Sequence, residues 1–88
     1  MAKKSKILQK ILNGSKNVRY AEFSALIEAF GFILARTRGS HQIYKHSVID
    51  ERLIIQPGKD GMAKPYQMKQ FLEVIEQNNL RLEEDDES

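Results

Sequence analysis

Two runs with a side-chain period of two meet at the dipeptide Gly39-Ser40, and that junction limits what this chain can fold into more than any other feature. Glycine takes a positive φ at no steric cost, so Gly-Ser between two strand-like runs reads as a hairpin turn. Before it, Phe32-Ile33-Leu34-Ala35-Arg36-Thr37-Arg38 sets larger apolar and then basic residues against smaller ones, the pattern of a half-exposed strand. After it, His41-Gln42-Ile43-Tyr44-Lys45 reads as the returning strand. A second turn over Ser47 to Glu51 leads to a third strand, Arg52-Leu53-Ile54-Ile55-Gln56, halted by Pro57-Gly58.

A three-stranded meander has one face that must be covered, and helices are the cover available. Ile7, Leu8, Ile11 and Leu12 recur at helical spacing, with Ser5 as N-cap and Gly14 just past the end, which predicts a helix over about 5–13. A polar linker, Gly14-Ser15-Lys16-Asn17, separates it from a second stripe, Phe23, Leu26, Ile27 and Phe30, closed by Gly31. The loop Gly58 to Lys64 leads to Pro65, which suits the first position of a helix. Met68, Phe71, Leu72 and Ile75 give that helix its apolar face, and Asn78-Asn79 can end it. The expected order is α-α-β-β-β-α, an α+β fold with a three-stranded antiparallel sheet and helices on one face. Phe23, Phe30, Phe32 and Phe71 are assigned to the core.

At 88 residues the chain has room for one core. A single domain over 1–82 is expected, followed by an acidic, disordered tail over 83–88. That tail holds five of the twelve acids, so residues 1–82 carry a net +7, enough for a polyanion binder. There is no cysteine, which excludes a disulfide framework and a cysteine zinc site. No apolar run is long enough for a signal peptide or a bilayer span, so a soluble, cytoplasmic protein without a membrane partner is expected.

The cations gather around the turns. Arg36 and Arg38 lead into the hairpin, Lys45 leaves it, and Lys59 and Lys64 flank the start of the last helix. A helix start presents free N–H groups to anions, and a hairpin tip beside one could grip an RNA backbone. His41 directly follows the turn. A neutral imidazole titrates near pH 6.5 and can take the proton of a ribose 2′-hydroxyl, letting that oxygen attack the adjacent phosphorus. Arg and Lys side chains would then stabilise the phosphoryl charge. Other chemistries are poorly supplied. The carboxylates are scattered, and His41 and His46 lie five apart on a strand and face opposite ways, so no metal site is expected. Ser40 lacks a nucleophile-elbow context, and no P-loop is present.

The segment Gly31-Phe32 … Arg38-Gly39-Ser40-His41 … Tyr44 resembles the HicA toxin family, the RNA-cleaving half of HicA–HicB toxin–antitoxin systems. Ile54-Ile55-Gln56-Pro57 and Lys64-Pro65-Tyr66-Gln67-Met68-Lys69 occupy the family's third strand and closing helix, and the resemblance covers about residues 17–80. It implies a double-stranded-RNA-binding-domain-like fold and an mRNA-cleaving endoribonuclease that needs no metal or other cofactor. It places His41 as the active-site histidine and implies a HicB-like antitoxin that covers it. Arg38, Gly39, Ser40, Lys45, Lys59 and Lys64 are the expected substrate-binding residues.

Two departures stand out: the additional N-terminal helix, and the absence of a histidine after Pro57, where many relatives carry one. Tyr44 could act as a second catalytic group by chemistry, but strand alternation aims it away from His41 and toward packing. Lys59 or Lys64 is the better candidate to bind phosphate or protonate the leaving oxygen. Tyr66 could stack on a base or pack on the sheet edge. A non-catalytic RNA-binding module of the same fold is the alternative function, and a protein-binding adaptor is a third.

Overall fold

In a computed structural model, which describes residues 3–82, the chain folds as α1 (Lys4–Leu12), α2 (Tyr20–Ala29), β1 (Phe32–Arg38), β2 (His41–His46), β3 (Arg52–Ile55) and α3 (Pro65–Gln77). The element order is the expected one, and the sheet is antiparallel in the order β1-β2-β3. The acidic tail over 83–88 lies outside the described residues.

Each helix follows from its apolar spacing. Ile7 and Ile11 of α1, Phe23, Leu26 and Ile27 of α2, and Met68, Phe71 and Val74 of α3 are buried. Fully burying such a side chain is worth about 1.5–3 kcal/mol. Phe71 is the hub, with Phe23 and Phe30 packed edge-on against it at centroid distances of 5.7 and 5.4 Å, an arrangement favoured by the ring quadrupole. The sheet contributes Phe32, Tyr44, Leu53 and Ile55 to the same core. The four phenylalanines therefore occupy the core positions expected of them.

The ends of the helices differ in part from expectation. Ser5 does not cap α1: it lies inside the first turn, and the extended N-cap residue is Lys3, with no side-chain cap bond. Gly14 does follow the helix end with φ +78°. α2 is capped by Glu22, whose Oε1 accepts from the Arg19 backbone N–H at 3.0 Å. α3 starts on Pro65 and ends at Asn78-Asn79, where Asn79 takes φ +54°.

Gly31 is required where it stands. Its φ is +100°, and a Cβ there would come within 2.7 Å of His46 Nε2. The His46 ring packs edge-on to Phe32, its Nε2 lies 3.0 Å from the Phe30 carbonyl, and its Nδ1 accepts from Val48 N–H at 3.0 Å. Since Nδ1 is the acceptor, Nε2 carries the hydrogen and donates to Phe30. His46 thus fastens the end of β2 to the α2–β1 junction.

β3 stops one residue short of the expected Gln56. The Gln56 N–H leaves the ladder and donates to Gln67 Oε1 of α3 at 3.2 Å. The loop that follows is braced rather than loose. Ala63 N–H donates to the Val18 carbonyl and Tyr20 N–H to the Gly61 carbonyl, which ties the approach to α3 against the start of α2.

Candidate active site

The two faces of the sheet are unlike. Helices cover the face bearing Phe32, Tyr44, Leu53 and Ile55, while the residues between them face outward. On β2 the outward set is His41, Ile43 and Lys45. Tyr44 is buried on the opposite face, as strand alternation requires, and His46 also faces away from His41.

β1 does not keep its period, and that is the main departure from the sequence reading. Strict alternation assigns Arg36 and Arg38 to the same face as Phe32 and Leu34. Instead the register shifts between Leu34 and Arg36: Leu34 pairs with Tyr44, and Arg36 already pairs with Ile43. Ala35 is the extra residue of a β-bulge, a device that re-aims the side chains beyond it. Arg36 and Arg38 therefore share the outward face of β2, and Arg38 is directly paired with His41. The bulge puts a guanidinium beside the imidazole.

The turn between them is two residues long. Gly39 carries φ +58° and Ser40 has no positive φ, so glycine occupies the first loop position, as a type II′ turn requires. Both neighbours of His41 are fastened. Ser40 Oγ donates to Gln56 Oε1 at 3.3 Å, and the Tyr20 hydroxyl donates to Gln42 Oε1. Burial, and then the neighbouring Tyr44, push the Tyr20 hydroxyl up to about 12, so it stays a donor. The His41 ring is exposed and makes no hydrogen bond among the described residues. A pinned backbone carrying an unpartnered imidazole leaves the ring free for a substrate.

β3 runs antiparallel to β2, so its exit at Gln56-Pro57 lies at the hairpin end of the sheet. Lys59 and Lys64 lie on the loop from there to α3, and Lys64 is the N-cap residue of α3. Lys45 lies away from the hairpin end. It pairs with Ile33 and Arg52, about 13 Å along β2 from His41 at ~3.3 Å per residue. Tyr66 is 65% exposed at the first turn of α3, and its hydroxyl accepts from Gln67 Nε2 at 3.3 Å. Among the described residues no three His, Cys, Asp or Glu side chains gather as a metal-ligand cluster.

Residues 20–77 match the family model described as HicA toxin of bacterial toxin–antitoxin. The chain belongs to the HicA toxin family. The match opens at the first residue of α2 and closes at the last of α3, so the HicA unit is α2-β1-β2-β3-α3 and α1 lies outside it. No curated protein and no solved structure matched. As a family member the chain is the toxin of a toxin–antitoxin system, with an antitoxin as its partner. Among the described residues, no helix is long and apolar enough to cross a membrane.

The supports of the hairpin are residues that sequence patterning does not single out. Among the described residues Gln67 is the buried polar residue of the core, and with Gln56 and Ser40 it links α3 to the hairpin. Its one signal is that it lies at helical spacing before the buried Phe71 and Val74. Tyr20 and Gln42, 22 positions apart, left no such pattern.

Proposed function

We propose that this toxin is a metal-independent endoribonuclease that cuts mRNA in the cytoplasm by transesterification, with His41 as general base. The carrying observation is the exposed His41 ring, which has no partner among the described residues and is paired across the hairpin with Arg38. Neutral His41 takes the proton of a ribose 2′-hydroxyl. The freed oxygen attacks the adjacent phosphorus, the P–O5′ bond breaks, and O5′ leaves with a proton, giving a 2′,3′-cyclic phosphate and a 5′-hydroxyl. A base so placed contributes typically 10²–10⁴-fold. Arg38 stabilises charge on the phosphoryl oxygens. Lys59 and Lys64 hold the flanking backbone, and one of these lysines protonates the leaving oxygen. Gly39 and Ser40 shape the tip that presents the base, and Lys45 extends the basic track. A HicB-like antitoxin neutralises the toxin by covering His41.

The product chemistry is the test. In excess EDTA, an RNA oligonucleotide should yield fragments ending in 2′,3′-cyclic phosphate, and one with 2′-deoxyribose at the scissile position should not be cut there. Binding without cleavage would instead identify a non-catalytic RNA-binding module. Cleavage of the deoxy substrate would rule out the 2′-hydroxyl as nucleophile.

A further inference from the structure

One aromatic ring is left out of the core. The chain holds three tyrosines, four phenylalanines and no tryptophan. The phenylalanines and Tyr44 are buried and Tyr20 is half-buried, whereas Tyr66 is 65% exposed. The packing of α3 does not ask for a ring there, because its buried face is Gln67, Met68, Phe71 and Val74.

The exposed ring is nevertheless held. Gln67 is 4% exposed, and its Oε1 accepts the Gln56 N–H at 3.2 Å. The other arm of that amide only donates, and its hydrogen goes to the Tyr66 hydroxyl at 3.3 Å. The hydroxyl is the acceptor in this bond and keeps its own hydrogen to give. Pro65, directly before it, fixes the backbone at the helix start. A side chain set in place beforehand loses little freedom when a ligand arrives.

The same bonds fix where the ring stands. From the Tyr66 hydroxyl the path runs through Gln67 to the backbone of Gln56. The Gln56 side chain then accepts from Ser40 Oγ, and Ser40 precedes His41. Lys69 lies at i+3 from Tyr66, on the same flank of α3. It is exposed and forms no hydrogen bond or ion pair among the described residues.

We infer that Tyr66 is a base-stacking platform: an unpaired nucleobase flanking the scissile phosphate lies on its ring, with Lys69 on the adjoining phosphate. The inference rests on the nuclease reading above. It adds that the substrate is single-stranded where it crosses the start of α3, and it names the residue that sets its register. A duplex keeps its bases stacked on one another, whereas unpaired bases splay onto aromatic rings. Every base has a π-face, so the platform fixes position rather than sequence.

The test measures binding of the full chain to a single-stranded 2′-O-methyl oligonucleotide, which has no 2′-hydroxyl proton to lose and is not cut by this route. The comparison is an abasic oligomer of the same length, which keeps the phosphates and lacks the bases. Wild type should prefer the intact oligomer, and Tyr66→Ala should shrink that preference by about 5–150-fold. Tyr66→Phe, which keeps the ring, should retain it. Annealed to its complement, the oligomer should bind wild type and Tyr66→Ala alike. Tyr66→Ala also strips Gln67 of a partner, so a second variant reads stacking directly. Tyr66→Trp introduces a lone tryptophan, whose emission the intact oligomer should quench and the abasic one should not. The inference is overturned by an undiminished preference in Tyr66→Ala, by unquenched Tyr66→Trp with oligomer bound, or by no binding of the intact oligomer. Wild-type protein that binds as described yet never cuts RNA would count against the nuclease reading alone.

Discussion

Strand β2 carries two histidines, five residues apart, in opposite circumstances. His46 faces the helices, packs edge-on against Phe32, donates to the Phe30 carbonyl and accepts the Val48 N–H. His41 faces outward, and its ring holds no partner among the described residues. The same contrast runs along the strand: Gln42 and Tyr44 are fastened or buried, while Ile43 and Lys45 stand outward. One face therefore spends its chemistry on holding the sheet to the helices, and the other keeps its chemistry free. Since the period of a strand is two, neighbouring residues can be given to stability and to function without compromising either.

The sharpest way to break this division is to truncate adjacent residues. Leu53 is 1% exposed, and Leu53→Ala should cost about 2–5 kcal/mol. Its neighbour Ile54 looks outward, and Ile54→Ala should stay within about 0.5 kcal/mol. Denaturant melts that gave the two variants equal losses would contradict the two-faced sheet.

Gly31→Ala comes next. It forces a side chain into the left-handed region, which costs about 1–2 kcal/mol, and drives a methyl into His46. A total loss of about 2–3 kcal/mol is expected, including a disturbed bond to Phe30 worth about 1 kcal/mol. Adding His46→Ala relieves the clash, so the double variant should lose less than the sum of the singles in a double-mutant cycle.

Tyr20→Phe probes the link between α2 and the residue beside His41. Loss of its bond to Gln42 should cost about 1 kcal/mol near neutral pH. The pH dependence has a definite sign. The Tyr20 hydroxyl is raised from 10.0 to about 12 in the fold, so above pH 10 the unfolded chain gives up this proton while the folded chain keeps it. The contribution is complete below pH 10 and is lost as pH climbs toward 12. Melts across that window should fall less steeply for Tyr20→Phe than for wild type.

The smallest effect belongs to Ser40→Ala. Its bond to Gln56 is long and exposed, so stability should change by no more than about 0.5 kcal/mol. RNA cleavage should decline more than stability does, because the bond fixes the turn that presents His41. A variant with full activity would remove Ser40 from the site.

The order of elements, the phenylalanine core and the hairpin were legible in the sequence because each rests on local spacing: 3.6 for the helices, two for the strands, and glycines at the junctions. The bulge at Ala35 was not legible. An extra residue in a strand is defined only by what its partner strand opposes, and the smooth run Leu34-Ala35-Arg36 carries no mark of it. Hence the sequence could list Arg36 and Arg38 as basic residues near the turn without showing that both share the face of His41. The cap of α1 failed for a related reason: Ser5 has the right chemistry, but packing of Ile7 and Ile11 sets where that helix begins. Pairings such as Tyr20 with Gln42 depend on the closed tertiary fold and leave no local trace.

The central claim is that His41 is reserved for chemistry while the fold rests on the opposite face. The most direct measurement is the rate of RNA cleavage by His41→Ala, with its thermal melt recorded in the same buffer. The account predicts a fall of about 10²–10⁴-fold in rate with a melting curve that overlays the wild type. Cleavage at the wild-type rate by the folded variant would contradict it.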